Sequence, residues 1–146
     1  MPMEDAKTIL AKHGIELDDL VEAGFELYVS NTENDDTAAA RNRLRELLSR
    51  YLEDPNVWLM VAAASYLDEM ISSGGREAMS LSEDPASLVA DELIGMSIAE
   101  YIAGKMGLFN YIRYDREKPG IIGGLPPFMD DAVGALVAAS MTRVFE

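Results

Sequence analysis

The stretch "FMDDAVGALVAASMTRV", Phe128 to Val144, decides the fold. After its acid pair it is dense in small residues: Ala132, Gly134, Ala135, Ala138, Ala139 and Ser140. Its apolar positions follow the 3.6-residue period of a helix. Small side chains let helix axes approach closely, so this helix is expected at the centre of a bundle. A second segment has the same grammar. "ADELIGMSIAEYIAGK", Ala90 to Lys105, also opens on two acids followed by a glycine, and it is apolar nearly all round. That is the pattern of a helix surrounded by others. The two segments are expected to form the central pair.

Working outward, the same periodicity and its stop signals predict four earlier helices. They run from about Glu4 to His13, from about Leu17 to Ser30, from a cap among Asp35, Asp36 and Thr37 to about Leu52, and from about Val57 to Ile71. Helix five is expected from Pro85 or Ser87 to about Lys105, and helix six from Phe128 to about Val144. "SSGGREAMSLSEDPAS" and "GLFNYIRYDREKPGIIGGLPP" read as irregular, being rich in glycine, serine or proline. No alternating run is bounded by hairpin turns. The expected fold is all-α: one domain over residues 1–146, a bundle of about six helices around a central apolar helix.

Composition narrows the function. With 146 residues, 49% of them hydrophobic, one core is within reach. A net charge of −14 excludes a nucleic-acid partner, because phosphate backbones demand a basic face. The absence of cysteine removes disulfides, zinc–thiolate sites and cysteine nucleophiles together. "MPMEDAKTIL" lacks the basic and apolar regions of a signal peptide. The most apolar run, Ser87 to Gly104, carries Asp91, Glu92 and Glu100. Each acid would cost roughly 2.5–3.5 kcal/mol near a bilayer centre. The chain therefore reads as soluble and cytoplasmic, without a transmembrane segment and with homo-oligomerisation open. Met60, Met70, Met96, Met106 and Met141 are expected as core filler. Trp58 is expected to pack, and His13 to close the first helix favourably.

The acid pairs carry the chemistry. Asp91 shares a helix face with Leu88, Ile94, Gly95 and Ile98. Glu92 lies about 100° further round. An unpaired buried carboxylate neutralises or finds a cation. Either pair alone is as well explained by capping at a helix start. The repetition argues for more: Gly95 and Gly134 each follow the first acid of their pair by four residues, leaving a notch where another backbone can pass. Two such notches would gather Asp91, Glu92, Asp130 and Asp131 around a metal. Oxygen donors with no cysteine suit a hard cation, Mg²⁺ ahead of Mn²⁺ or Ca²⁺. Between the pairs, "RYDREKPG" places Arg113, Arg116 and Lys118 beside Asp115. It reads either as a solvated loop or as a phosphate clamp with Asp115 as a further ligand. Acids, a hard metal and adjacent Lys/Arg are the parts of phosphoryl-transfer chemistry.

These motifs, "DELIG", "YDREKPG" and "FMDDAVG", resemble the phosphatidylglycerophosphatase A family. "FNYIRYDREKPG" and "AKTILAKHGIELDDLVEAGFELY" are similar to its soluble, YutG-like branch. The resemblance implies an all-α, Mg²⁺-dependent phosphatase, with Asp91, Glu92, Asp115, Lys118, Asp130 and Asp131 as site residues. It also relates Arg113 to an arginine of the lipid enzymes. "VADELIGMSIAEYIAG" and "LPPFMDD" look like archaeal members that act on α-ribazole-5′-phosphate in cobalamin assembly. A lipid phosphate is the alternative substrate, and a non-enzymatic metal-binding helical module the alternative class. A helical nucleotide pyrophosphohydrolase would need ExxE and ExxD spacings that are absent. Either "SGGREAMSLSEDPA" or "PGIIGGLPP" is a candidate lid.

Overall fold

The structure is a computed structural model that describes residues 4–29, 37–74 and 88–146. Among the described residues it is all-α, with six α-helices and no strand. Helix α1 spans Ala6–Lys12, α2 Leu17–Glu26, α3 Thr37–Glu53 and α4 Pro55–Ser73. Local chemistry places these ends. Asp5 caps α1 by accepting from the Thr8 N–H at 2.7 Å, and Glu16 and Asp19 form a capping box on α2. Asp54 caps α4 ahead of Pro55, whose fixed φ suits a first helical turn. Then come α5, Ala90–Glu117, a 3₁₀ turn over Gly120–Gly124, and α6, Pro127–Val144.

Helix α6 is the central element. Every residue from Phe128 to Met141 is buried, with α2, α3, α4, α5 and the 3₁₀ turn packed around it. Its small side chains make this possible, since neighbouring axes can close in on all sides.

Helix α5 differs from expectation in extent and setting. The stretch after Lys105 is helical as far as Glu117. A break at Ala103 and Gly104 divides it into two arms, and Gly104 has φ 63°, ψ −149°, where essentially only glycine is found. The break folds the arms against each other. A Cβ on Gly95 would meet the Tyr111 hydroxyl, and one on Gly107 would meet Ala99 and Ala103. Residues 91, 95 and 99 thus face 115, 111 and 107. The pair is an antiparallel hairpin. Helix five is also not surrounded: one side packs on α6, while Leu93, Met96, Tyr101, Met106, Phe109 and Ile112 are exposed. Of the methionines expected in the core, Met141 is buried, Met60 is half-buried, and Met70, Met96 and Met106 are exposed.

Smaller differences follow from packing. Helix α2 stops at Glu26 rather than running to Ser30, and Tyr28 turns away to stack on Phe145 with ring centroids 5.1 Å apart. The "PGIIGGLPP" segment is anchored rather than free, because Ile122 is fully buried. The other candidate lid beyond Gly74, the expected start of helix five at Pro85 or Ser87, and the capping candidates Asp35 and Asp36 lie outside the described residues. No helix among the described residues is long and apolar enough to cross a membrane. His13 sits at the end of α1 as expected, its Nε2 2.9 Å from the Ser65 hydroxyl. Trp58 is half-buried and donates from Nε1 to the Glu4 carbonyl at 2.9 Å.

Candidate metal centre

The N-terminus of α6 presents Asp130 in its first turn, with Asp131 directly after it, following a proline at the start of the helix. Asp68 of α4 holds that end in place. Its two carboxylate oxygens accept from the N–H groups of Phe128 at 2.9 Å and Met129 at 2.8 Å. These are two of the donors that a helix start leaves unpaired. Burial pushes the Asp68 carboxyl up, opposed by those same hydrogen bonds. Sequence reasoning missed Asp68. Its signal was an acid in helical register with the apolar positions Val57, Val61, Ala64 and Ile71 of α4, whereas the adjacent Glu69 is exposed.

The α5 hairpin brings two more acids to the same place. One oxygen each of Asp115, Asp130 and Asp131 lies within 4.8 Å of the others. Asp91, 3% exposed, lies within hydrogen-bond reach of Asp131, yet its Oδ1 is buried without a partner. The Gly95 notch is real: a Cβ there would lie 3.0 Å from the Asp131 carbonyl oxygen. The matching notch at Gly134 is not. A Cβ at 134 would find only Ile122 Cγ2, at 3.9 Å, an ordinary contact.

Lys118 completes the centre. It ends α5 in the left-handed conformation, φ 47°, which a lysine adopts at a cost of about 1–2 kcal/mol. That turn sends Nζ to Asp130 Oδ2 at 2.7 Å and Asp115 Oδ1 at 3.4 Å. Burial works against the ammonium, but the hydrogen bond to Asp130 and the surrounding acids hold its pKa above the usual range. Asp130 is nevertheless raised, because burial outweighs the lysine. Asp131 is pushed up to about 11, by burial first and then by Asp115, Asp91 and Asp130. One cation is too little for four clustered carboxylates.

The remaining expected residues make no direct contact with the acid cluster among the described residues. Glu92 is exposed, though its charge is felt at the Tyr111 hydroxyl. Arg113 donates to the Leu27 carbonyl and lies over the Tyr114 ring. Arg116 is exposed and pairs with Glu117 at 3.3 Å. Of the three basic residues in "RYDREKPG", Lys118 alone contacts the acids among the described residues. The arm is tied to α2 instead through Tyr114, whose buried hydroxyl donates to the Gly24 carbonyl at 2.5 Å.

The donor set fits a hard divalent cation. All candidate ligands are carboxylate oxygens, and the orphaned Asp91 Oδ1 is a buried acceptor still lacking a positive partner.

Comparison with known proteins follows the same residues. The family model for phosphatidylglycerophosphatase A matches residues 35–146. The uncharacterized protein MJ1330 of Methanocaldococcus jannaschii is 38% identical over 130 residues, covering 86% of this chain and 100% of that protein. The uncharacterized protein YutG of Bacillus subtilis is 40% identical over 62 residues, 37% of each chain. The low temperature requirement C protein from Listeria monocytogenes superposes with a TM-score of 0.83 at 27% identity, over 96% of this chain and 92% of that one. The ypjQ protein from Bacillus subtilis gives 0.76 at 26% identity, over 96% and 90%.

Proposed function

The chain belongs to the phosphatidylglycerophosphatase A family, a membership that points to a phosphatase, and from that premise we propose that it is a Mg²⁺-dependent phosphomonoester hydrolase. One observation carries the reading: Asp91, Asp115, Asp130 and Asp131 converge with a single lysine, leaving buried negative charge that a divalent cation would balance. Asp91, Asp115, Asp130 and Asp131 would hold Mg²⁺, with Mn²⁺ able to replace it. When bound, the ion supplies charge neutralisation on the phosphoryl oxygens and lowers the pKa of water. The chain's own groups do the rest. Lys118 places an ammonium beside Asp115 and Asp130, where it would neutralise a phosphate oxygen. A carboxylate left with a free oxygen would take the proton of the attacking water. Of the three residues considered for the clamp, Lys118 keeps that role in this reading, since Arg113 and Arg116 are engaged elsewhere.

For the substrate we favour α-ribazole-5′-phosphate, a water-soluble ribosyl phosphate, acted on in the cytoplasm. Support comes from the resemblance of "VADELIGMSIAEYIAG" and "LPPFMDD" and from a net charge of −14, which opposes docking on anionic lipid. A lipid phosphate has the description of the family and one structural observation in its favour. The exposed Leu93, Met106, Phe109 and Ile112 lie on the same α5 hairpin that carries Asp91 and Asp115.

Phosphate release from α-ribazole-5′-phosphate and from micellar phosphatidylglycerophosphate separates the two. Turnover of the ribosyl phosphate, abolished by EDTA and lowered about 100-fold or more by Asp91→Asn, is the expected result. Turnover of the lipid alone keeps the centre and replaces the substrate. Release from neither returns the protein to a helical metal-binding module.

A further inference from the structure

Tyr111 places a hydroxyl among carboxylates where a phenylalanine would pack equally well. The residue is 2% exposed, and its hydroxyl is buried without a well-formed hydrogen bond, although the Asp131 carboxylate lies within reach. Leaving such a group unpaired is unfavourable. Its position is nonetheless closely determined. A Cβ on Gly95 would lie 2.4 Å from the hydroxyl oxygen, 2.6 Å from Cζ and 3.0 Å from the Asp131 carbonyl oxygen. Helix α5 thus omits a side chain where the tip of the Tyr111 ring enters, next to Asp131. The charged groups that face the hydroxyl are Asp131 on α6, Asp115 one turn further along its own arm, and Glu92 on the opposite arm. All three are acceptors when ionised, so the hydroxyl can serve them only as a donor.

We propose that Tyr111 is a positioning residue of the metal centre: its O–H donates to one oxygen of the Asp131 carboxylate and turns the other toward the cation. The inference rests on the metal-dependent reading of the site. Hydrogen bonds of this outer kind are worth about 10- to 100-fold in metal affinity.

The test uses Tyr111→Phe, which removes one oxygen and keeps the ring. Mn²⁺ is the probe, its free concentration followed by electron paramagnetic resonance without substrate. The Kd for Mn²⁺ is expected to rise about 10- to 100-fold. Over the same change, the melting temperature of EDTA-treated protein should hold or increase, because an orphaned hydroxyl has gone. An unchanged Kd overturns the proposal. So does a raised Kd accompanied by a fall of several degrees in melting temperature, which would assign Tyr111 to packing alone. If the wild-type protein binds no Mn²⁺, the metal reading itself fails and takes this inference with it. Tight wild-type binding with an unaffected variant removes the inference alone.

Discussion

Asp131 shows how much one residue can hold against its own preference. Its carboxyl is 2% exposed, beside three other carboxylates, and burial and those neighbours raise its pKa to about 11. A group whose folded pKa lies above its unfolded value binds its proton more tightly when folded. Its favourable contribution is complete below the ordinary aspartate pKa of about 4. That contribution is lost progressively as pH climbs toward the folded value. At neutral and mildly alkaline pH, protein stripped of metal is therefore destabilised by this site. Asp131→Asn should raise the melting temperature of EDTA-treated protein by about 3 °C or more at pH 8. The two curves should converge near pH 4 to 5, as differential scanning fluorimetry across that range would report. A variant that melts lower than wild type at pH 8 would show that the carboxylate is stabilising after all. On the proposed ligand set, the same substitution should also abolish Mn²⁺ binding.

At the scale of the element, the break in α5 determines which acids meet. In an unbroken helix, Asp91 and Asp115 would stand roughly 36 Å apart at about 1.5 Å per residue. Gly104 brings them to one place by taking a conformation closed to other residues. Nothing lies within 4 Å of a Cβ at 104, so the cost of Gly104→Ala is backbone strain alone. That cost should be about 1–3 kcal/mol. The expected outcome is a lower melting temperature and a weaker Mn²⁺ Kd together, because opening the arms separates the acids proposed to hold the ion. Gly134→Ala is the contrast. It has room for a methyl group and sits inside α6, so it should be neutral or stabilising by up to about 1 kcal/mol. The hairpin was partly legible. Asp91, Gly95, Ala99, Ala103, Gly107, Tyr111 and Asp115 recur every four residues, a single stripe that folds onto itself at Gly104. The glycines and prolines around it instead suggested a loop, since local composition does not reveal that Tyr111 and Tyr114 are held by neighbouring helices.

Across the whole molecule, charge and stability are linked through the centre. The chain carries −14 overall, and among the described residues a cluster of carboxylates lies at the junction of α5 and α6. A divalent cation that binds the folded chain and not the unfolded one stabilises it by mass action, about 2.7 kcal/mol at a hundredfold excess over Kd. Millimolar Mg²⁺ should therefore raise the melting temperature of EDTA-treated wild type by several degrees. The shift should vanish in Asp91→Asn, and an equal shift in both proteins would place the effect on the general surface charge. The exposed apolar side chains of α5 belong to this scale as well, since their fate depends on what the folded molecule meets.

By itself the sequence determined every helix but the second arm of α5, together with the types of residue available for chemistry. Those properties are local: the 3.6-residue period of apolar positions, the caps Asp5, Glu16 and Asp54, and the acid pairs at the heads of α5 and α6 all operate within a few residues. Tertiary structure decided which of the acids converge. Asp115 joins Asp130 and Asp131, Glu92 stays exposed, Arg113 is drawn to Leu27, and Asp68 is recruited from α4 to hold the end of α6. The reason is burial. A carboxylate's pKa, its partners and its access to a cation are set by side chains from other helices, and these arrive only when the α5 hairpin closes on α6.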